Sequence, residues 1–264
     1  MLAWYTDHSF SIRIMRSVAN GFRIPAKHTS LFRKGEFNQE AVMYGILRGC
    51  SDIIRYNFKN KLDYLHIDLG YIERSQHTRG TFDGYYRFSL NDTQAHYKDV
   101  NLPSDRSNKL NITIKDWQDN DSGFYLIIPP TLAIETFYGV KAKDWVESTI
   151  YKLNGDPYKV RTKDDTSPLS EELKNTKCII TFNSNVALDA TLAGIPTIVT
   201  SHHSVIRDWN GLTMANVQDC FEKSVNLDRK KLVNFISYHQ FTLTEVEKGI
   251  APAIIKKMRE ENVY

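Results

Sequence analysis

The stretch Cys178-Ile179-Ile180-Thr181-Phe182-Asn183-Ser184-Asn185-Val186-Ala187-Leu188-Asp189-Ala190-Thr191-Leu192-Ala193-Gly194-Ile195-Pro196-Thr197-Ile198-Val199 decides how this chain folds. Its first five residues are nearly all apolar with no polar alternation, which predicts a strand buried on both faces. Three small polar residues then make a turn, a helix follows over 185–193, and Gly194-Ile195-Pro196 ends it and leads into a second strand over 197–199. Strand, turn, helix and strand make a βαβ unit, whose strands are parallel. A polar turn opening a helix presents unpaired backbone N–H groups and the positive end of the helix dipole, and together these bind phosphate. Asn183, Ser184 and Asn185 form that turn, the last two with side chains able to hydrogen-bond a phosphate. Asp189 lies about one helical turn beyond Asn185, where a carboxylate accepts from ribose hydroxyls. The bland alternative is that Asn183 and Ser184 only cap the helix and that Asp189 is solvated.

The same alternation extends through the chain. Upstream come a strand over 124–128 ended by Pro129-Pro130, a helix over 143–153, a short strand over 158–161 and a helix over 169–174. The first half repeats the theme with a strand over 2–5, a helix from Ser9 or Ser11 to Asn20-Gly21, a strand over 41–44 running into Gly45, a helix over 51–59 and a strand over 63–68. The expected fold class is α/β, with two Rossmann-like lobes and a cleft between them. An N-terminal acceptor-side lobe covers 1–122, and a donor lobe covers 123–264 with helices after 228 packing back across both lobes. Residues 71–122 are polar and loop-rich, the composition of recognition loops.

Composition narrows the function. The 264 residues carry a formal charge of +3, compatible with an anionic ligand but far from a dedicated nucleic-acid-binding stripe. No run of about 20 apolar residues is present, and the N-terminus lacks the order of a secretory leader, so the expected setting is the cytoplasm with no membrane partner. Cys50, Cys178 and Cys220 are far apart and odd in number, which points to reduced, buried thiols and to no metal site.

Sugar transfer with inversion needs a general base on the acceptor side. Asp68 is the first candidate, because it ends a strand and precedes Gly70. His66, two residues earlier on the same face, is the second, and His8 after the first strand is the third. Gly45, Arg48, Tyr71, Arg74, Arg87 and Asn91 are candidates for acceptor binding, and His202, followed by His203, for the donor. Each also has an ordinary reading as a turn, loop or surface residue.

The stretch around Asn183 resembles the C-terminal lobe of GT-B-type glycosyltransferases, in particular the capsule-polysaccharide and Kdo-transferase-like group. A strand, an Asn-Ser turn, an acidic helix and Ala-Gly-x-Pro recur there; Asp189 stands where that group carries the longer Glu. The resemblance includes Arg161-Thr162-Lys163, similar to an Arg-x-Lys whose cations neutralise the diphosphate, and Gln240-Phe241-Thr242-Leu243-Thr244-Glu245 near the end. Blocks at 45–49, 67–71 and 85–91 resemble phage-encoded, DNA-modifying glycosyltransferases. The resemblance implies a nucleotide-sugar donor, with UDP-glucose expected and no further cofactor, and an acceptor that is a hydroxymethylpyrimidine of phage DNA, its attached sugar, or a saccharide. A phage-encoded protein would act in the host cytoplasm. On DNA, Arg48, Arg74, Arg79 and Arg87 would face phosphates. The competing readings are a nucleotide-sugar epimerase and a non-enzymatic nucleic-acid-binding protein.

Overall fold

Tyr64, His66 and Asp68 alternate with Leu65, Ile67 and Leu69, and this period of two gives one strand an apolar face and a polar one. The computed structural model describes residues 1–35, 37–75 and 82–264. In chain order its elements are β1 (Leu2–Tyr5), α1 (Ser9–Phe22), β2 (Ala26–His28), β3 (Ala41–Tyr44), α2 (Cys50–Lys59), β4 (Tyr64–Leu69) and β5 (Tyr85–Leu90). After these come β6 (Phe124–Ile128), α3 (Leu132–Tyr138), α4 (Ala142–Leu153), β7 (Tyr158–Val160), α5 (Leu169–Leu173), β8 (Thr176–Thr181), α6 (Val186–Leu192) and β9 (Thr197–Val199). The last elements are α7 (Val205–Asn210), α8 (Cys220–Ser224), α9 (Arg229–Ser237), β10 (Gln240–Thr242), α10 (Leu243–Glu247) and α11 (Ile250–Glu260). They fall into two compact units, Met1–Asn111 with Val233–Tyr264, and Ile112–Leu232.

The first unit holds a six-stranded sheet in the order β10-β5-β4-β3-β1-β2. Strands β2, β1, β3 and β4 are parallel, whereas β5 runs antiparallel to β4 and β10 antiparallel to β5. On one face Ala3, Val42, Leu65, Ile67, Phe88 and Phe241 pack with Ile14, Met15 and Val18 of α1 and with Val246, Ala251 and Ile255 from the C-terminal helices. The α1 stripe follows the helical repeat, so α1 buries one side and solvates the other. Gly21 lets α1 approach α10, since a Cβ there would stand 1.9 Å from the Val246 carbonyl oxygen.

The second unit holds an all-parallel sheet in the order β7-β6-β8-β9. Tyr125, Ile127, Cys178, Ile180 and Ile198 pack with Trp145, Val146 and Ile150 of α4 on one face. Leu126, Ile179, Ala190 and Ile195 pack with Leu169, Leu173 and Val186 on the other. Coverage on both faces is why the centre of β8, Cys178-Ile179-Ile180, is apolar without alternation. All three cysteines are free and buried.

Two expectations are revised. The first sheet is mixed, because β5, from a strand-like stretch within the loop-rich segment, runs antiparallel to β4. The tail after 228 is not wholly helical, because Gln240–Thr242 adds a strand beside β5, and residues from Val233 onward belong to the first unit instead of the donor lobe. Among the described residues no helix is long and apolar enough to cross a membrane, and no group of three or more His, Cys, Asp and Glu is placed to hold a metal ion.

Candidate active site

In the second unit, β7 and β8 flank β6 on opposite sides. The chain leaving β6 therefore turns one way and the chain leaving β8 the other, and ligands of open α/β sheets bind at the carboxyl ends where such connections diverge. Asn183, Ser184 and Asn185 follow β8 at this point. The Ser184 carbonyl accepts from Ala187 N–H at 3.1 Å, and the Asn185 carbonyl accepts from Leu188 and Asp189 N–H at 3.0 and 3.2 Å. The Ser184 hydroxyl accepts from Val186 N–H at 3.2 Å, so its own hydrogen is left to donate. Asp189 sits in the first turn of α6 and is partly exposed.

The loops after β6 and β9 border the same point and carry rings. Tyr138 stacks on His203 with centroids 4.9 Å apart and planes at 30°, and meets Phe182 edge-on at 5.6 Å. The loop after β9 is tied down by Thr200 N–H to the Thr181 carbonyl at 2.9 Å, Ser201 N–H to the Phe182 carbonyl at 2.9 Å and Trp145 Nε1–H to Thr200 Oγ1 at 2.8 Å. His202 is exposed in it. Arg161 lies at the end of β7, where it donates to Ser167 and lies 3.0 Å from Glu172 Oε1. Burial works to raise the Glu172 carboxyl, but hydrogen bonds from Lys159, Ser167 and Arg161 outweigh it and hold that group below the usual range. Arg161 thus shares its charge with a buried carboxylate, while Lys163 is exposed in the next turn.

In the first unit, β2 and β3 flank β1, so the connections diverge between β1 and β3. His8 caps α1 just past β1, its Nδ1 accepting from Phe10 N–H at 3.3 Å. Gly45, with φ 74°, and exposed Arg48, with φ 55°, lie in the loop after β3.

Asp68, Arg87, Tyr71 and His66 are brought together on the polar face of this sheet. Asp68 pairs with Arg87 in register across β4 and β5, and Arg87 Nη2 donates to Asp68 Oδ2 at 2.8 Å. Arg87 also donates from Nε to the Thr93 carbonyl at 3.2 Å and lies 5.6 Å from the Tyr71 ring centre. Arg87 is almost fully buried, whereas the Asp68 side chain is 38% exposed, so the carboxylate alone reaches solvent. Tyr71 is buried, and its hydroxyl accepts from Ala95 N–H at 2.8 Å. His66 is fully buried; burial pushes its pKa down to about 4, with Asp68 and a backbone hydrogen bond at Thr93 acting in the opposite sense. The ring is therefore neutral at pH 7 and shielded from solvent.

Other expected residues stand apart. Asn91 has φ 59°; its Oδ1 accepts from Tyr64 N–H at 2.9 Å and its Nδ2 donates to Asp63 at 2.7 Å. That is the start of β4, about 13 Å from Asp68 at the strand's rise of ~3.3 Å per residue, so Asn91 lies at the opposite end of β4 from Asp68. Arg74 pairs its backbone with Tyr85 beyond β4. Arg79 lies outside the described residues. Arg87, turned inward onto Asp68, is not available to a DNA phosphate.

No protein-family model matches the chain, and no curated protein matches it. Among solved structures, that of the β-Kdo 2,7 transferase of KpsC from Thermosulfurimonas dismutans aligns with 96% of this chain and 99% of its own, with a TM-score of 0.54 at 11% identity. The β-Kdo 2,4 transferase of the same protein aligns with 92% of each chain, with a TM-score of 0.48 at 12% identity. This chain therefore shares the mixed α/β fold of the first of these structures.

Several contributors were not foreseen. Gln240 Oε1 accepts from Tyr71 and Ile72 N–H at 2.8 and 3.0 Å and so fixes the loop after Asp68. Buried Asp92 takes His96 Nε2 at 2.8 Å beside His66. Tyr44, at the end of β3, is kept a neutral phenol by burial and by Asp68. The alternation of 85–90 marks the strand that carries Arg87, and Gln240 heads the motif quoted at 240–245, but neither signal gives the contact; nothing local marks Asp92.

Proposed function

We propose that this chain is a glycosyltransferase that moves a sugar from a nucleotide-sugar donor to an acceptor hydroxyl, its two units acting as the lobes of a GT-B-type enzyme. The observation that carries the reading is the position of Asn183, Ser184 and Asn185, where the connections of the all-parallel second sheet diverge. The turn and the Ser184 hydroxyl bind the diphosphate, with Arg161 and Lys163 adding positive charge, and Asp189 accepts from the ribose. On the acceptor side Asp68 is the general base, oriented by Arg87. The acceptor O–H proton passes to the Asp68 carboxylate as the acceptor oxygen bonds the anomeric carbon. The bond from that carbon to the phosphate oxygen breaks, and the leaving nucleotide takes its electron pair.

UDP-glucose is the donor to try first. A saccharide is the favoured acceptor class, because inward-facing Arg87 removes one of the cations assigned to DNA; a hydroxymethylpyrimidine is the other acceptor to test. Equilibrium titration with UDP-, GDP-, ADP- and CMP-sugars tests the donor half. The wild type should bind at least one of them, and Ser184→Ala should weaken that binding about ten- to hundredfold, the loss expected for a hydrogen bond to a charged group. No binding by the wild type removes the proposal, and unchanged affinity in the variant removes Ser184 from the site.

A further inference from the structure

We infer that the stacked rings of Tyr138 and His203 form the platform on which the donor's nucleobase lies, an inference that rests on the nucleotide-sugar reading above. Tyr138 ends α3, which leaves β6; His203 follows β9; Phe182 follows β8. Three loops from three strands thus bring rings to the one point where the second sheet's connections diverge. A core would explain the rings if α3 covered one, yet α3 buries none of its seven residues, and Tyr138, Phe182 and His203 are each only partly buried. Tyr138 is also held edge-on by Phe137 at 4.8 Å and 89°.

The pair is flat and set in place. Its planes lie 30° apart with centroids 4.9 Å apart, too close to admit a base between them, so a base stacks on an outer face of the pair. His203 N–H donates to Ser201 Oγ at 3.1 Å, in the loop already tied to β8 and α4. Phe182 immediately precedes the turn assigned to the diphosphate, so the rings flank the phosphate position. Stacking accepts any base, because each presents a π face. The ligand class is therefore a nucleoside mono- or diphosphate, and the choice among bases is made by other contacts.

The test compares ligands with and without a base. Wild type, Tyr138→Ala, Tyr138→Phe and His203→Ala are titrated with UDP, GDP, ADP and CMP, and with ribose 5-phosphate and pyrophosphate as base-free probes; melting curves accompany each. In the wild type the best nucleotide should bind at least tenfold more tightly than the base-free probes. The ratio should fall about 5- to 100-fold in both alanine variants and persist in Tyr138→Phe, with base-free affinities unchanged. If Tyr138→Ala fails to fold, His203→Ala carries the comparison. Ratios unchanged in the alanine variants overturn the platform while leaving the donor site in place. A wild type that binds no nucleotide better than pyrophosphate overturns the donor reading and this inference together.

Discussion

Asp68 and Arg87 meet because an antiparallel strand brings residue 87 opposite residue 68, leaving a half-exposed carboxylate held by a buried guanidinium. The neighbouring face is dry enough that His66, and His239 in the same unit, stay neutral; burial pushes both down to about 4 from an ordinary 6.5. This fixes a sign for stability. As pH falls below 6.5 the unfolded chain takes up protons that the folded one refuses, so the contribution is complete above that pH and is lost progressively down to about 4, at up to about 1.4 kcal/mol per pH unit for each histidine. Urea midpoints should therefore fall between pH 7.5 and 5, and His239→Phe should flatten the fall; an equal or higher midpoint at pH 5 contradicts the buried, neutral assignment. Asp68 itself was legible in the sequence, since it ends an apolar run and a glycine follows closely. Its partner was not, because Arg87 reaches it by tertiary pairing across a polar stretch.

The β8–α6–β9 segment was the most readable part of the chain, because a strand covered on both faces must be apolar throughout and a Gly-x-Pro must end its helix. Gly194 shows how tightly that end is set. With φ 86°, it would place a Cβ 1.9 Å from the Asp116 carbonyl oxygen, and its own carbonyl accepts from Gln118 N–H at 2.8 Å. Gly194→Ala should cost about 1 kcal/mol for the left-handed backbone and about 1–3 kcal/mol more for the overlap. Gly211→Ala, at φ 63° with nothing near its Cβ, should cost only the first amount. Equal drops in melting temperature would contradict the close approach. Strands β5 and β10 were harder to read, for the opposite reason. β5 turns Arg87 and Ser89 to a buried face where apolar residues are expected. β10 is three residues long and is fastened by Arg106, which donates to the Ser237 and Gln240 carbonyls at 2.8 Å each and to Glu245 at 2.8 Å. No local pattern encodes a strand held by a residue 134 positions away.

The chain's order of strands and helices was enough to foresee two βα series, and the division at Asn111 and Val233 shows what order alone conceals: the last helices return to the first sheet. Their apolar residues, Val246, Ala251 and Ile255, are selected to fit α1 and the first sheet, a complementarity of shape that composition does not carry. The fold is shared with a Kdo transferase of KpsC, but a fold does not fix an activity, so the proposed sugar transfer rests on the residues at the strand ends. The most direct test is mass spectrometry of acceptors, both a saccharide panel and duplex DNA bearing hydroxymethylated pyrimidines, after incubation with nucleotide sugars and with either wild type or Asp68→Asn. The account predicts that one acceptor gains the mass of a sugar with the wild type, together with released nucleotide, and that Asp68→Asn slows this gain about 10²–10⁴-fold while donor affinity holds. No mass gain on any acceptor with a donor that binds, or full turnover by Asp68→Asn, would contradict it.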